Sequence, residues 1–353
     1  MKKVLFALII FFLLIGIGAF AYYNIMISPV SDEKKVVQFE VSKNMAYSLL
    51  ADKLYEDGLI RSKFIYKVYI KLNKPERLEV GIYSLNTSMS LKEIINALSN
   101  GVTSNQDEVK LTIREGLNMR KVALAIERTT EGYIKYDEVI DVAEDREFAK
   151  SLIDKYWFLS DEILDPKIYY PLEGYLFPDT YQILKTYEVK KIFTIMLDQM
   201  DSKLSKYKDD LKDKNIHDLL TMASLVELEG KTKSDRENIA DVFYKRIELG
   251  ETLGSDVTTY YGSKVDDFST KLYQSQLDDC TNGYNTRGFC RKGLPVGPIS
   301  TVGTISIEAA LYPGTNNYLF FVADCYGKIY FSKTQSEFTS IRNKLMKENN
   351  WCA

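Results

Sequence analysis

The chain has 353 residues, 45% hydrophobic and 27% charged, with 46 basic against 49 acidic residues and a formal net charge of −3. That length admits two or three domains, and the composition excludes a disordered or fibrous chain. No basic block or stripe occurs, which argues against nucleic acid as a partner. With His217 as the only histidine and no CxxC pair, a metal site is not indicated, and no organic cofactor is implied.

From Val4 to Ile27 the chain carries no charged residue. At ~1.5 Å rise per residue such a run can cross a ~30 Å hydrocarbon core. Lys2 and Lys3 ahead of it favour an inside amino terminus. The expectation is a cytoplasmic tail at 1–3, a transmembrane helix at 4–27, and a body outside the cell membrane. Ala19-Phe20-Ala21 offers the alternative of a cleaved signal peptide, but the apolar run continues past it.

The alternating stretch Val37–Val41 reads as a strand, and Ala46, Leu49, Leu50 and Leu54 share a helical face that closes at Gly58. Ser90 and Glu93 form a capping-box signature before Leu91, Ile94, Ile95 and Leu98, with Gly101 as the stop. Val109–Ile113 alternates again and leads through Arg114-Glu115-Gly116 into a helical pattern at Val122, Ala123 and Ile126. Two strand–turn–helix units point to an α+β chain. Residues 133–165 show helical apolar spacing and no evident chemistry.

Six of the eight prolines fall in two clusters, Pro166, Pro171 and Pro178, then Pro295, Pro298 and Pro313. Stiff irregular loops of this kind often wall a binding site. The first holds LEGYLFPDTY (172–181), in which Glu173 and Asp179 flank aromatics of no regular period. It reads either as a loop covering a core edge or as a cleft wall. His217–Glu229 is apolar on nearly all sides, a buried helix ended by Gly230, with His217 read as a cap or surface residue. Ser234 and Glu237 suggest a second capping box, opening a helix through Ile239, Val242, Phe243 and Ile247 to Gly250. Cys280, Cys290, Cys325 and Cys352 allow three disulfide pairings, of which a local Cys280–Cys290 bridge is preferred.

A buried helix that ends in Glu227 and Glu229 calls for a reason. Burial disfavours the charged form of a carboxyl, and a carboxyl near neutrality can protonate a leaving oxygen. The two glutamates point about 200° apart, so one of them faces a given cleft. Glu227, one turn beyond the small Ala223 and Ser224, is the preferred candidate; solvation of both at a frayed end is the structural alternative.

LEGYLFPDTY, ASLVELEG, SDRENIADVFYKRIELGETLGSD, YNT and GLPVGPIS together resemble, in order, the MltG (YceG-like) family of endolytic murein transglycosylases. The resemblance implies a LysM-like module at 28–108 and a catalytic domain at 109–353. It implies Glu227 as the catalytic glutamate, acting on the MurNAc–GlcNAc linkage of nascent strands and leaving 1,6-anhydroMurNAc ends, without a second enzymic carboxylate. Glu173, Tyr175, Asp256 and Asn285 match positions implied to bind substrate. Implied partners are peptidoglycan glycan strands and wall-elongation synthases, with the membrane reached through 4–27. The chain departs from the pattern at Val296, at Arg287, after Asp256, and at Ser42-Lys43-Asn44. The competing reading is a non-catalytic, membrane-tethered peptidoglycan-binding protein.

Overall fold

A computed structural model of the chain describes residues 2–41, 45–75, 78, 81–100, 108–185, 187–288 and 291–351. The chain divides into two units, Met1–Asp107 and Glu108–Ala353, each with its own hydrophobic core. Both mix helices with two-stranded antiparallel ribbons, an α+β architecture.

The first unit runs α1 (Lys2–Ile27), β1 (Val36–Val41), α2 (Leu50–Glu56), α3 (Lys63–Asn73), β2 (Gly81–Asn86) and α4 (Leu91–Asn100). β1 pairs with β2 so that Phe39 faces Tyr83, and the inward members of that alternation meet Leu50, Leu54, Tyr66, Ile94 and Leu98 in one core. The capping box at α4 is present: Ser90 N and Oγ both donate to Glu93 Oε2 at 2.7 Å. Leu49, expected on the buried face, is exposed, because a 3₁₀ turn over Tyr47–Leu49 precedes α2 and rotates it outward. The proposed stop at Gly101 and the Ser42–Asn44 turn lie outside the described residues.

The expected membrane-crossing helix at 4–27 is corrected here. α1 forms, but among the described residues no helix is long and apolar enough to cross a membrane. Its last turns carry Tyr22, Tyr23 and Asn24, and Asn24 turns its amide back onto Phe20 O. Tyr23 and Ile27 pack against the core of the first unit, so this end of the apolar run belongs to the fold.

The second unit opens with β3 (Glu108–Thr112), α5 (Met119–Thr129), α6 (Tyr136–Glu144), α7 (Arg146–Ile153), β4 (Thr180–Leu184), α8 (Val189–Leu204) and the single turn α9 (Lys208–Leu211). It continues with α10 (Ile216–Glu229), α11 (Lys233–Glu248), α12 (Asp256–Gly262), the short α13 (Gln274–Leu277), α14 (Thr304–Leu311), β5 (Phe320–Ala323), β6 (Ile329–Ser332) and α15 (Gln335–Lys347). β3 pairs with β4, and β5 with β6. α10 is the central helix, packed by α11, α12 and α14, and every residue from Leu219 to Glu227 is buried. This is why its sequence is apolar on all sides.

α11 begins two residues earlier than the sequence suggests. Its capping box is Thr232 with Asp235, in place of Ser234 with Glu237. Both pairs fit the pattern; the short exit from Gly230 decides between them. Cys280 and Cys325 are each disulfide-bonded, and the expected bridge to Cys290 falls on a residue outside the described set.

Candidate active site

The LEGYLFPDTY stretch is a brace. Gly174 sits at φ +79°, and a Cβ placed there would come within 2.2 Å of Pro298 Cβ. Only glycine lets the first proline-rich loop lie this close to the second. Tyr175 is 0% exposed and its hydroxyl meets His217 Nδ1 at 2.8 Å, while His217 Nε2 donates to Val296 O at 2.9 Å. His217 is therefore a buried clamp between the two loops rather than a cap or surface residue, and Tyr175 has no ring face open to a sugar. Phe177 is buried as well.

Glu173 is 2% exposed. Its Oε2 accepts from Met119 N and from Tyr261 Oη, both at 2.9 Å, which places a carboxylate at the N-terminus of α5. Its Oε1 is buried without a hydrogen-bond partner. Burial pushes this carboxyl up to about 7, against the pull of those two bonds. Asn285 is likewise occupied: its amide donates to Leu277 O and Asp279 O, and its oxygen accepts from Thr259 Oγ1 and Arg287 N. These contacts fold the 276–287 loop and leave Asn285 nothing for a ligand.

The two glutamates at the end of α10 have opposite settings. Glu227 keeps a side chain 3% exposed and receives Arg236 Nη2 on Oε1 at 2.6 Å. Gly303 N donates to its Oε2 at 3.0 Å, and Arg236 Nε also holds Gly230 O. Both oxygens of Glu227 are thus engaged in locking α10 to α11 and to the 299–303 segment. The same segment closes over Ser224, since Ile299 N donates to Ser224 Oγ and Ser300 Oγ to Ser224 O.

Glu229, the last residue of α10, lines a cleft of about 540 Å³, a volume ordinary for a ligand site. Ser255 Oγ donates to its Oε1 at 2.6 Å, and among the described residues nothing bonds its Oε2. Burial raises this carboxyl above the usual range, with the Ser255 bond opposing. The negative end of α10 acts in the same direction as burial. Asp256 follows Ser255, opens α12 and ion-pairs with Arg287 at the cleft. The far wall is Phe320–Asp324 of the β5–β6 hairpin with Phe338, Arg342 and Trp351.

Of the five residues singled out in the sequence, Asp256 lines this cleft; Glu227, Glu173, Tyr175 and Asn285 are buried and do not line it. Sequence alone ranks Glu229 behind Glu227. The far wall was missed, although its signals were present: aromatic and β-branched runs at 318–322 and 329–331 around a Gly-containing turn read as a hairpin. Thr334 with Glu337 is a capping box, and it forms. Among the described residues no cluster of metal-ligating side chains occurs.

Residues 39–344 match the YceG-like family. An endolytic murein transglycosylase of Bacillus subtilis is 33% identical over 343 residues, 96% of this chain and 92% of the relative. One from Streptococcus pneumoniae serotype 2 is 28% identical across 95% of this chain, which spans 64% of that longer relative. The crystal structure of a yceG-like protein of Listeria monocytogenes superposes with a TM-score of 0.62 at 32% identity, over 88% of this chain and all of that one.

Proposed function

The chain belongs to the YceG-like family, and from that premise we propose that it is an endolytic peptidoglycan transglycosylase whose acid–base residue is Glu229. The observation that carries the assignment is the contrast in engagement: Glu229 presents an unbonded oxygen to a ligand-sized cleft, whereas both oxygens of Glu227 are held by the fold.

In this reading a protonated Glu229 donates to the glycosidic oxygen between MurNAc and GlcNAc as the C1–O bond breaks. The carboxylate so formed takes the proton of the C6 hydroxyl while that oxygen closes on C1. The proton returns to Glu229, a 1,6-anhydroMurNAc end forms, and no water is consumed. A single carboxyl suffices, unlike the paired carboxyls of glycoside hydrolases. Asp256, steadied by Arg287, is placed to orient the sugar's N-acetyl group or hydroxyls.

The proposal includes the reading of residues 28–108 as a LysM-like module and of 109–353 as the catalytic part. Peptidoglycan lies outside the cytoplasm, and the disulfide-bonded Cys280 and Cys325 suit an oxidising compartment. Association with wall-elongation synthases is a further part of the proposal, tested by cross-linking in growing cells.

The deciding experiment is mass spectrometry of peptidoglycan digested by the chain, by Glu229→Gln and by Glu227→Gln. Internal fragments with 1,6-anhydro ends, lost in Glu229→Gln and retained per folded molecule in Glu227→Gln, support the assignment. The reverse pattern returns the role to Glu227, and products one water heavier indicate hydrolysis. No products from the unaltered chain, with strand binding intact, leaves a binding protein.

A further inference from the structure

The cleft that holds Glu229 also holds a guanidinium that no carboxylate meets among the described residues. Arg342, on α15, has its Cζ 5.9 Å from the ring centre of Phe338 and 5.9 Å from that of Trp351. Two aromatic faces thus fix it in place. Its Nε is buried with no hydrogen-bond partner, and among the described residues no carboxylate pairs with it.

Apart from Glu229, the cleft's other charged side chains already have hydrogen-bond partners. Arg287 is paired with Asp256. Arg246 donates to Thr252 O and Leu319 O. Asp324 accepts from Tyr326 N and Lys328 N. A buried donor on a charged group costs free energy until an acceptor meets it, and the planar guanidinium fork suits a carboxylate above other acceptors.

We propose that Arg342 binds a carboxylate carried on the muramyl residue and so sets which of the two alternating linkages lies against Glu229. This rests on the transglycosylase reading. In a strand of alternating GlcNAc and MurNAc, the GlcNAc units are uncharged, and carboxylates occur on the muramyl substituent, along the peptide stem or, where the stem is absent, at the lactyl group. A cation fixed on the cleft wall would distinguish the two sugars by charge and hold the strand in one register.

The test measures binding of soluble strands to the full chain carrying Glu229→Gln, so that no turnover intervenes. Strands with free stem carboxylates are expected to bind about tenfold more tightly than the same strands amidated, a difference of ~1.4 kcal/mol. Adding Arg342→Gln is expected to abolish that discrimination, and Arg342→Lys to keep part of it. Stem-stripped strands, whose lactyl carboxyl is then free, identify the source: binding as tight as that of the stem-bearing strands, and weakened when the lactyl group is itself amidated, points to the lactyl position, and weak binding to the stem. Equal weakening on charged and amidated strands would reduce Arg342 to a packing role, and no change in either would remove it from the site. Charge-dependent binding together with no anhydro products from the unaltered chain would leave this site standing and overturn the transglycosylase reading alone.

Discussion

The two sides of the end of α10 carry the same residue type in the same helix, and they differ in what the rest of the chain brings to them. On one side Arg236 and Gly303 close over Glu227; on the other, Ser255 reaches one oxygen of Glu229 and leaves the second toward a cleft. A buried carboxylate is thus not in itself a catalytic signal. Burial paired with a guanidinium builds structure, whereas burial with one partner too few leaves a group able to exchange a proton.

The largest expected effect breaks the open side. Glu229→Gln keeps the shape and removes the proton, so anhydro-product formation should fall by about 10²–10⁴, the usual scale of acid–base catalysis, with the melting temperature little changed. The sealed side should respond in stability instead. Glu227→Gln leaves Arg236 as a buried charge without its counterion, at a cost of about 3–5 kcal/mol, read as a drop in denaturant midpoint. Activity per folded molecule should persist. Replacing both partners, Glu227→Leu with Arg236→Met, should recover much of that loss, because a buried ion pair can often be exchanged for apolar groups. Should Glu227→Gln instead be stable and inactive, the two sides have been assigned the wrong way round.

A third buried carboxyl sharpens the contrast through pH. Glu173 is held at about 7 in the fold, above its ordinary value, so between that value and about 7 the folded chain binds the proton that the unfolded chain has released. Stability then falls as pH rises through this window, by up to about 3 kcal/mol. Glu173→Gln keeps an acceptor for Met119 N and Tyr261 Oη and should flatten this slope, making the variant the more stable form above pH 7. Chemical denaturation at pH 5, 6, 7 and 8 reads the difference. An unchanged slope would assign the pH dependence elsewhere.

What could be read from sequence follows the range of the interactions involved. The Ser90–Glu93 box is a four-residue matter and was legible. So was α10, whose apolar character on every face marks a central helix. Which glutamate faces a cleft was not, because Gly303 is 76 residues from Glu227 in sequence. His217 illustrates the same limit: a histidine two residues past a helix cap looks solvated until Tyr175, 42 residues earlier, arrives beside it. The aromatic run of LEGYLFPDTY had two readings, and Gly174 against Pro298 places it in the scaffold. The β5–β6 hairpin and α15 were legible locally, but their role as a cleft wall depends on long-range packing against Glu229 and Asp256.

The smallest expected effect tests whether the single bond on Glu229 tunes it. Ser255 Oγ donates to Oε1, and a donor stabilises the carboxylate over the acid, opposing the upward push of burial. Ser255→Ala removes that opposition, so the carboxyl of Glu229 should move further up. An acid that must start protonated then works to higher pH, and the alkaline limb of the kcat/KM profile should shift upward. The rate at its optimum should change by less than about tenfold, the order expected for one hydrogen bond. Because Ser255 precedes Asp256, a change in sugar positioning would show as a higher KM across all pH values. An alkaline limb that moves with little change in KM therefore isolates the bond to Glu229, and a limb that stays in place would mean that another group sets it.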